Sequence, residues 1–206
     1  MAELASLETQ IDVSPQGVVS NPIPPQKIKI VADSSHPYWG CFCLYHPTNP
    51  KSYGDPLIDE SNNSALLCML TDLHVSFYGQ AGQKGETKWK GNRPYVIAVL
   101  QTPTPAIRYQ LAMPASGSGY VYRSFLAYTQ ELDLKNKSVI LQGKQGRRDA
   151  TFCEFFVDNQ PVRLDSPLID SGIAAMEQTV NRSRINLGLA PQFKTISGSI
   201  DVGHFS

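Results

Sequence analysis

Between Gly79 and Pro94 the chain places Lys84, Lys88, Lys90 and Arg93 around Trp89 and interrupts the stretch with glycines at 79, 82, 85 and 91. Those residue types suit single-stranded nucleic acid. Cations meet phosphates, an indole face stacks a base, and glycines leave backbone amides open. A second set gathers Lys144, Arg147 and Arg148 around Gly146, in a hairpin tip from which long cationic side chains reach phosphates. A third lies in 120–128, read here as an aromatic strand. Alternation puts Tyr120, Tyr122 and Tyr128 on one face and Phe125 on the other. With Phe125 inward, Tyr120 and Tyr122 form a stacking platform; with the tyrosines inward, they are core rings. Each set has a plainer alternative: a long loop with Trp89 tucked under its own strand, an ordinary solvated turn, and a core strand.

Other chemistries find less support. The 79–94 stretch lacks the Gly-Lys-Ser/Thr ending that holds a triphosphate and its magnesium, and Pro94 with the apolar run behind it reads as strand rather than helix. No Gly-x-Ser-x-Gly elbow, His-Glu-x-x-His or dinucleotide glycine fingerprint occurs. Cys41-x-Cys43 followed by His46 offers two sulfurs on one strand face, with Cys68 and His74 as further ligands. Yet Cys68 and Cys153 lack the near partners of a zinc knuckle, and free cysteines in strands usually behave as small apolar residues. Asp55, Asp59 and Glu60 match no calcium-loop spacing and read as a solvated loop. His36, beside Pro37, Tyr38 and Trp39, has no identifiable catalytic partner. The expectation is a non-enzymatic protein with no metal and no cofactor.

The charge distribution sharpens this. The 206 residues carry 18 basic and 18 acidic side chains, for zero net charge. Residues 75–150 hold eleven Lys and Arg against four Asp and Glu, a net +7, while 1–74 carry −5 and 151–206 carry −2. A basic centre forms an anion-binding surface unless the acidic flanks fold over it.

The elements that must position these residues are mostly strands. Apolar runs rich in β-branched and aromatic residues recur at 27–32, 39–45, 65–70, 73–78, 95–101, 108–113, 120–128, 138–143, 150–158 and 161–164. Asn136, the Gly143/Gly146 pair and Asp158-Asn159 supply turn chemistry between them. One helix is expected over 171–187, capped by Asp170 or Ser171 and stopped by Gly188. Its stripe of Ile173, Met176, Val180 and Leu187 docks on the sheet. The expected fold is mainly β, a small antiparallel barrel of the oligonucleotide-binding (OB-like) type or a sandwich, with one C-terminal helix. A proline-containing arm over 1–26 precedes a single domain over 27–189, and 190–206 is a tail or a last strand.

No apolar run approaches the ~18 residues of a membrane span, and the amino terminus lacks a cationic, apolar signal. A cytoplasmic protein without a membrane partner is expected. Its leading function is binding of single-stranded nucleic acid, by Lys84, Lys88, Trp89, Lys90, Arg93, Tyr120, Tyr122, Lys144, Arg147 and Arg148. The competing function is that of an assembly subunit, a candidate homo-oligomer, whose arm and helix stripe engage neighbouring copies.

Overall fold

The computed structural model describes residues 24–46, 52–57, 64–78, 93–115 and 119–194, with Phe77, Tyr78 and Arg93 described in their backbone alone. The expected arm over 1–26 and tail over 190–206 fall largely outside these residues. Among the described residues the chain forms nine strands and two helices. The strands are β1 (Gln26–Ile30), β2 (Phe42–Tyr45), β3 (Tyr53–Pro56), β4 (Ala65–Tyr78), β5 (Arg93–Gln101), β6 (Arg108–Pro114), β7 (Ser138–Gln145), β8 (Thr151–Val157) and β9 (Gln160–Pro161). The helices are α1 (Tyr120–Glu131) and α2 (Ile173–Asn186). All nine strands join one sheet in the order β3-β2-β1-β6-β5-β4-β7-β8-β9, curled into a half-barrel. The fold is mainly β, as composition indicates. Its pairings are mostly antiparallel, as expected, but β1 runs parallel to β6, so the sheet is mixed.

The hydrophobic pattern sets the register. In the central strand β5, residues Val96 to Leu100 are all buried, as a continuous apolar run requires. β4 is harder to read, because its buried positions change parity. Cys68 and Leu70 face the core, and then Leu73 and Val75 do. The pairing with β5 slips between Leu70 and Asp72. A bulge at this point turns the strand by one residue and keeps its apolar side inward. The apparent break between the apolar runs 65–70 and 73–78 is therefore a bulge within one fourteen-residue strand. The turns follow their residue types. Asp158 and Asn159 both adopt positive φ (51° and 59°) between Val157 and its partner Gln160, the two-residue hairpin geometry. Asn136 adopts φ 57°.

Residues 120–128 are helix, not strand, and this is the main correction to the sequence reading. The buried residues Tyr122, Phe125, Leu126 and Thr129 recur at helical spacing. Their neighbours Ser124, Ala127 and Tyr128 are buried too, so α1 is covered around much of its circumference. Phe155 of β8 receives α1, with Phe125 edge-on at 5.3 Å and Tyr128 stacked at 4.9 Å. The buried hydroxyls are satisfied. Ser124 Oγ donates to the Val121 carbonyl and accepts from the Cys153 N–H, and Thr129 Oγ1 meets Ser183 Oγ of α2 at 2.8 Å.

The second helix matches its expected place and docks through Met176, Val180 and Leu187, while Ile173 remains exposed. Its N-cap is Gly172, without a side-chain cap, rather than Asp170 or Ser171. At the other end Gly188, at φ 76°, donates to the Ile185 carbonyl and Leu189 to that of Arg184, closing the helix as a Schellman turn.

Beyond Met69, where pairing with β7 ends, β4 would show unpaired backbone groups. The Asp72 carboxylate accepts from the Leu73 N–H, Arg184 donates to the Leu73 carbonyl, and the Gln192 amide both accepts from and donates to the backbone of Val75. α2 and the segment after it thus replace a strand at this edge. A hydrogen bond with His74 holds the Asp72 carboxyl below its ordinary range, against the opposing effect of burial; the charges of His74 and Arg184 add to the lowering.

The curl brings two backbone segments into direct contact. The β1–β2 connection reaches β7, and a Cβ added at Gly143 would overlap the Gly40 carbonyl oxygen. Gly40 itself has φ +84°, which a side chain would strain. Around this approach Trp39 donates its indole N–H to Thr151 Oγ1 at 2.8 Å, and Gln145 donates to the Trp39 carbonyl at 2.7 Å. Gly143→Ala forces the two segments apart. It is expected to lower the unfolding free energy by about 1–3 kcal/mol, the range of an overpacked core position. A urea titration followed by tryptophan fluorescence measures this; an unshifted midpoint would show that the two segments do not meet.

Candidate nucleic-acid interface

The β7–β8 hairpin carries the clearest exposed constellation. Its tip turns through Arg148 and Asp149, at φ 53° and 59°, and is closed by the Gly146 N–H on the Ala150 carbonyl. Arg147 and Arg148 are both exposed there. Gly146 leaves room for an aromatic ring, since a Cβ would collide with that of Phe152. Phe152 pairs with Lys144 across the hairpin, and Tyr120, the first residue of α1, sets its ring 5.2 Å from that of Phe152. Tyr120 is 38% exposed, so a partly accessible aromatic residue stands beside the arginine-bearing tip, its ring tilted 47° to that of Phe152. Lys144 is exposed but paired: its ammonium lies 2.6 Å from Glu154.

The remaining sequence-predicted residues are distributed differently. Tyr122 is 2% exposed and sits in the core, so it offers no stacking surface; once 120–128 is helical, Tyr120 and Tyr122 leave the axis in different directions. Arg93 opens β5, with its backbone opposite Tyr78. Lys84, Lys88, Trp89 and Lys90 lie outside the described residues. The ends of their loop, however, are fixed by the Tyr78–Arg93 pair at the far end of β4. The hairpin tip follows Gln142, which pairs with Ala65 at the near end. Ala65 and Tyr78 are the two ends of this fourteen-residue strand, about 40 Å apart along it at ~3.3 Å per residue. The hairpin and the loop anchors thus stand at opposite ends of β4.

Sequence reasoning missed Phe152 and Glu154. Their signal was available: once the turn at 146–149 is accepted, alternation in β8 puts both on the face of Lys144. Tyr128 and Pro167 line a cleft with Lys144, Phe152 and Glu154, and these residues come together only through the fold.

Among the described residues no three His, Cys, Asp or Glu are grouped to hold a metal ion. The His36 ring lies 4.7 Å from that of Tyr53, and its Nδ1 accepts from the Tyr38 N–H. Cys43, Cys68 and Cys153 are buried, while Cys41 is partly exposed. Burial pushes the Cys43 thiol up to about 11 and the Cys68 thiol up to about 12, and it raises that of Cys153 as well. Among the described residues no helix is long and apolar enough to cross a membrane. No protein-family model matches the chain, and neither a curated protein nor a solved structure is significantly similar to it.

Thiolate, not thiol, attacks a disulfide reagent, so the buried cysteines are expected to be inert. At pH 7.5 an aromatic disulfide reagent is expected to titrate one thiol per native chain, Cys41, and all of the cysteines after unfolding. Reaction of a second thiol at a comparable rate in the native protein would contradict the burial of Cys43.

Proposed function

We propose that the protein is a non-enzymatic binder of single-stranded nucleic acid, with the β7–β8 hairpin face as its principal surface and the basic loop between β4 and β5 as a second contact. The observation that carries this reading is the placement of exposed Arg147 and Arg148 at a tip whose base holds the exposed Tyr120 ring against Phe152. Cations beside an accessible ring satisfy both halves of a nucleotide, the phosphate and the base. Duplex DNA fits less well, because its bases are already stacked and leave the ring without a partner. An OB-like classification is not needed for this reading, which follows from the surface and not from the topology.

The distance between hairpin and loop anchors shapes the reading. A short oligonucleotide engages the hairpin alone, whereas a longer strand follows the sheet and adds Lys84, Lys88, Lys90 and Arg93. Each cation that meets a phosphate releases counterions, with a slope of about −0.7 per contact for single strands. Six contacts give a slope of about −4 in log affinity against log salt, and the two hairpin arginines account for about −1.4 of it.

A labelled oligothymidylate titrated by fluorescence anisotropy between 50 and 200 mM salt tests this. The expected slope is about −4 for a long strand, falling to roughly −2.5 when Arg147 and Arg148 are both changed to alanine. Absence of binding at 50 mM salt, or a slope that the double variant leaves unchanged, would overturn the assignment.

A further inference from the structure

Beside the hairpin face lies a cleft that phosphate contacts and surface stacking leave unused. It has a volume of about 210 Å³ and is lined by Ser124, Tyr128, Lys144, Phe152, Glu154 and Pro167, among others. The Phe152 ring is shared with the exposed Tyr120, so the cleft opens next to the stacking surface. Its polar equipment is a donor beside an acceptor: the Lys144 ammonium, 57% exposed, meets Oε1 of Glu154, 27% exposed, at 2.6 Å. A carboxylate has about four lone-pair sites, so one ammonium leaves it able to accept further hydrogen bonds. Tyr128 adds a phenol that burial, and then the charge of Glu154, keeps protonated and able to donate. An apolar recess with convergent polar groups fits a small planar ligand that carries donors and acceptors on one edge.

We propose that this cleft takes one base of a bound strand and that it selects guanine. The inference rests on the reading of the hairpin face as a nucleic-acid surface. Guanine alone among the common bases presents two donors side by side, N1–H and the exocyclic amine, with the O6 acceptor next to them. Glu154 accepts from both donors and Lys144 donates to O6. Adenine and cytosine bring one amino group to the carboxylate, and thymine or uracil brings one N–H. Each of these makes fewer hydrogen bonds to the pair than guanine does, which weakens its binding relative to guanine. Arg147 and Arg148 then hold phosphates flanking the captured base, while Tyr120 stacks a neighbouring one. The Lys144–Glu154 pair thereby becomes a reading device rather than a surface ion pair of small energetic consequence.

Four labelled decathymidylates, with guanine, adenine, cytosine or thymine at one central position, test the inference by anisotropy at fixed salt. Wild-type protein is expected to bind the guanine strand about tenfold more tightly than the all-thymine strand, the scale of one bidentate base contact. Glu154→Gln is expected to erase that preference, so that the guanine and all-thymine strands bind the variant alike. Equal affinity for the four strands in the wild type, or a guanine preference that survives Glu154→Gln, would overturn the proposal. A second measurement on unmodified protein stands apart from variant folding and from strand binding. Guanosine monophosphate is expected to shift the backbone amide resonances of Tyr128, Phe152, Cys153 and Glu154 more strongly than uridine monophosphate does. Such shifts together with no oligonucleotide binding would retain the cleft and remove the nucleic-acid reading. Oligonucleotide binding with neither base preference nor these shifts would do the reverse.

Discussion

At Gly143 the place of a side chain is taken by the Gly40 carbonyl. This backbone approach holds the curl of a single sheet that stays a half-barrel. A curled sheet needs some means of bringing distant strands together, and ladder hydrogen bonds are one route. Here β1 and β7 are not neighbours in the ladder, and two glycines bring the chain leaving β1 into contact with β7 instead. Trp39 and Gln145 then tie the same seam with side-chain hydrogen bonds. Inside the curl, Phe42, Leu73, Leu100, Leu111 and Leu141 pack with Phe125 and Leu126 of α1 in one cluster. The seam therefore fixes both the volume of the core and the base of the β7–β8 hairpin.

That second consequence links fold to function. The tip at 146–149 projects from a strand pair held on one side by the Gly40 connection and on the other by Ser124 of α1, which binds the Cys153 N–H. Its arginines thus extend from an anchored base, and the Phe152 ring beneath them is fixed relative to Tyr120. Preorganisation of this kind lowers the cost of ordering long cationic side chains when a ligand arrives. The separation between the hairpin and the loop that begins after Tyr78 follows from the length of β4, in which the Thr71 bulge allows one strand to run the length of both pairings. Arg93, where the basic stretch meets β5, thereby has its backbone at the other end of β4 from the hairpin.

Much of the sheet was legible in the chain wherever turn chemistry or a continuous apolar run was explicit. The Asp158-Asn159 hairpin, the buried run of β5 and the stop at Gly188 all follow from local residue preferences. The exception, α1, has a physical cause. Tyr120, Tyr122 and Tyr128 fall at even spacing and favour a strand, whereas Tyr122, Phe125, Leu126 and Thr129 fall at helical spacing. The helical reading sets Arg123 and Gln130, both only partly buried, on one face, but the evenly spaced tyrosines mask that pattern. β3 carries Gly54 and Pro56, which argue against a strand, and forms at the sheet edge where such residues are tolerated. Of the site, the charges and aromatics were visible but their partners were not. The pairing of Lys144 with Glu154 and the burial of Tyr122 depend on register and on the helix, which one-dimensional spacing does not contain.

Amide hydrogen exchange with and without a saturating oligothymidylate reads the hairpin face directly. Protection is expected over residues 144–154 and the first turn of α1, with α2 and its exposed Ile185 unchanged. Protection confined to α2, or none at the hairpin while the strand is demonstrably bound, would contradict the placement of the binding surface.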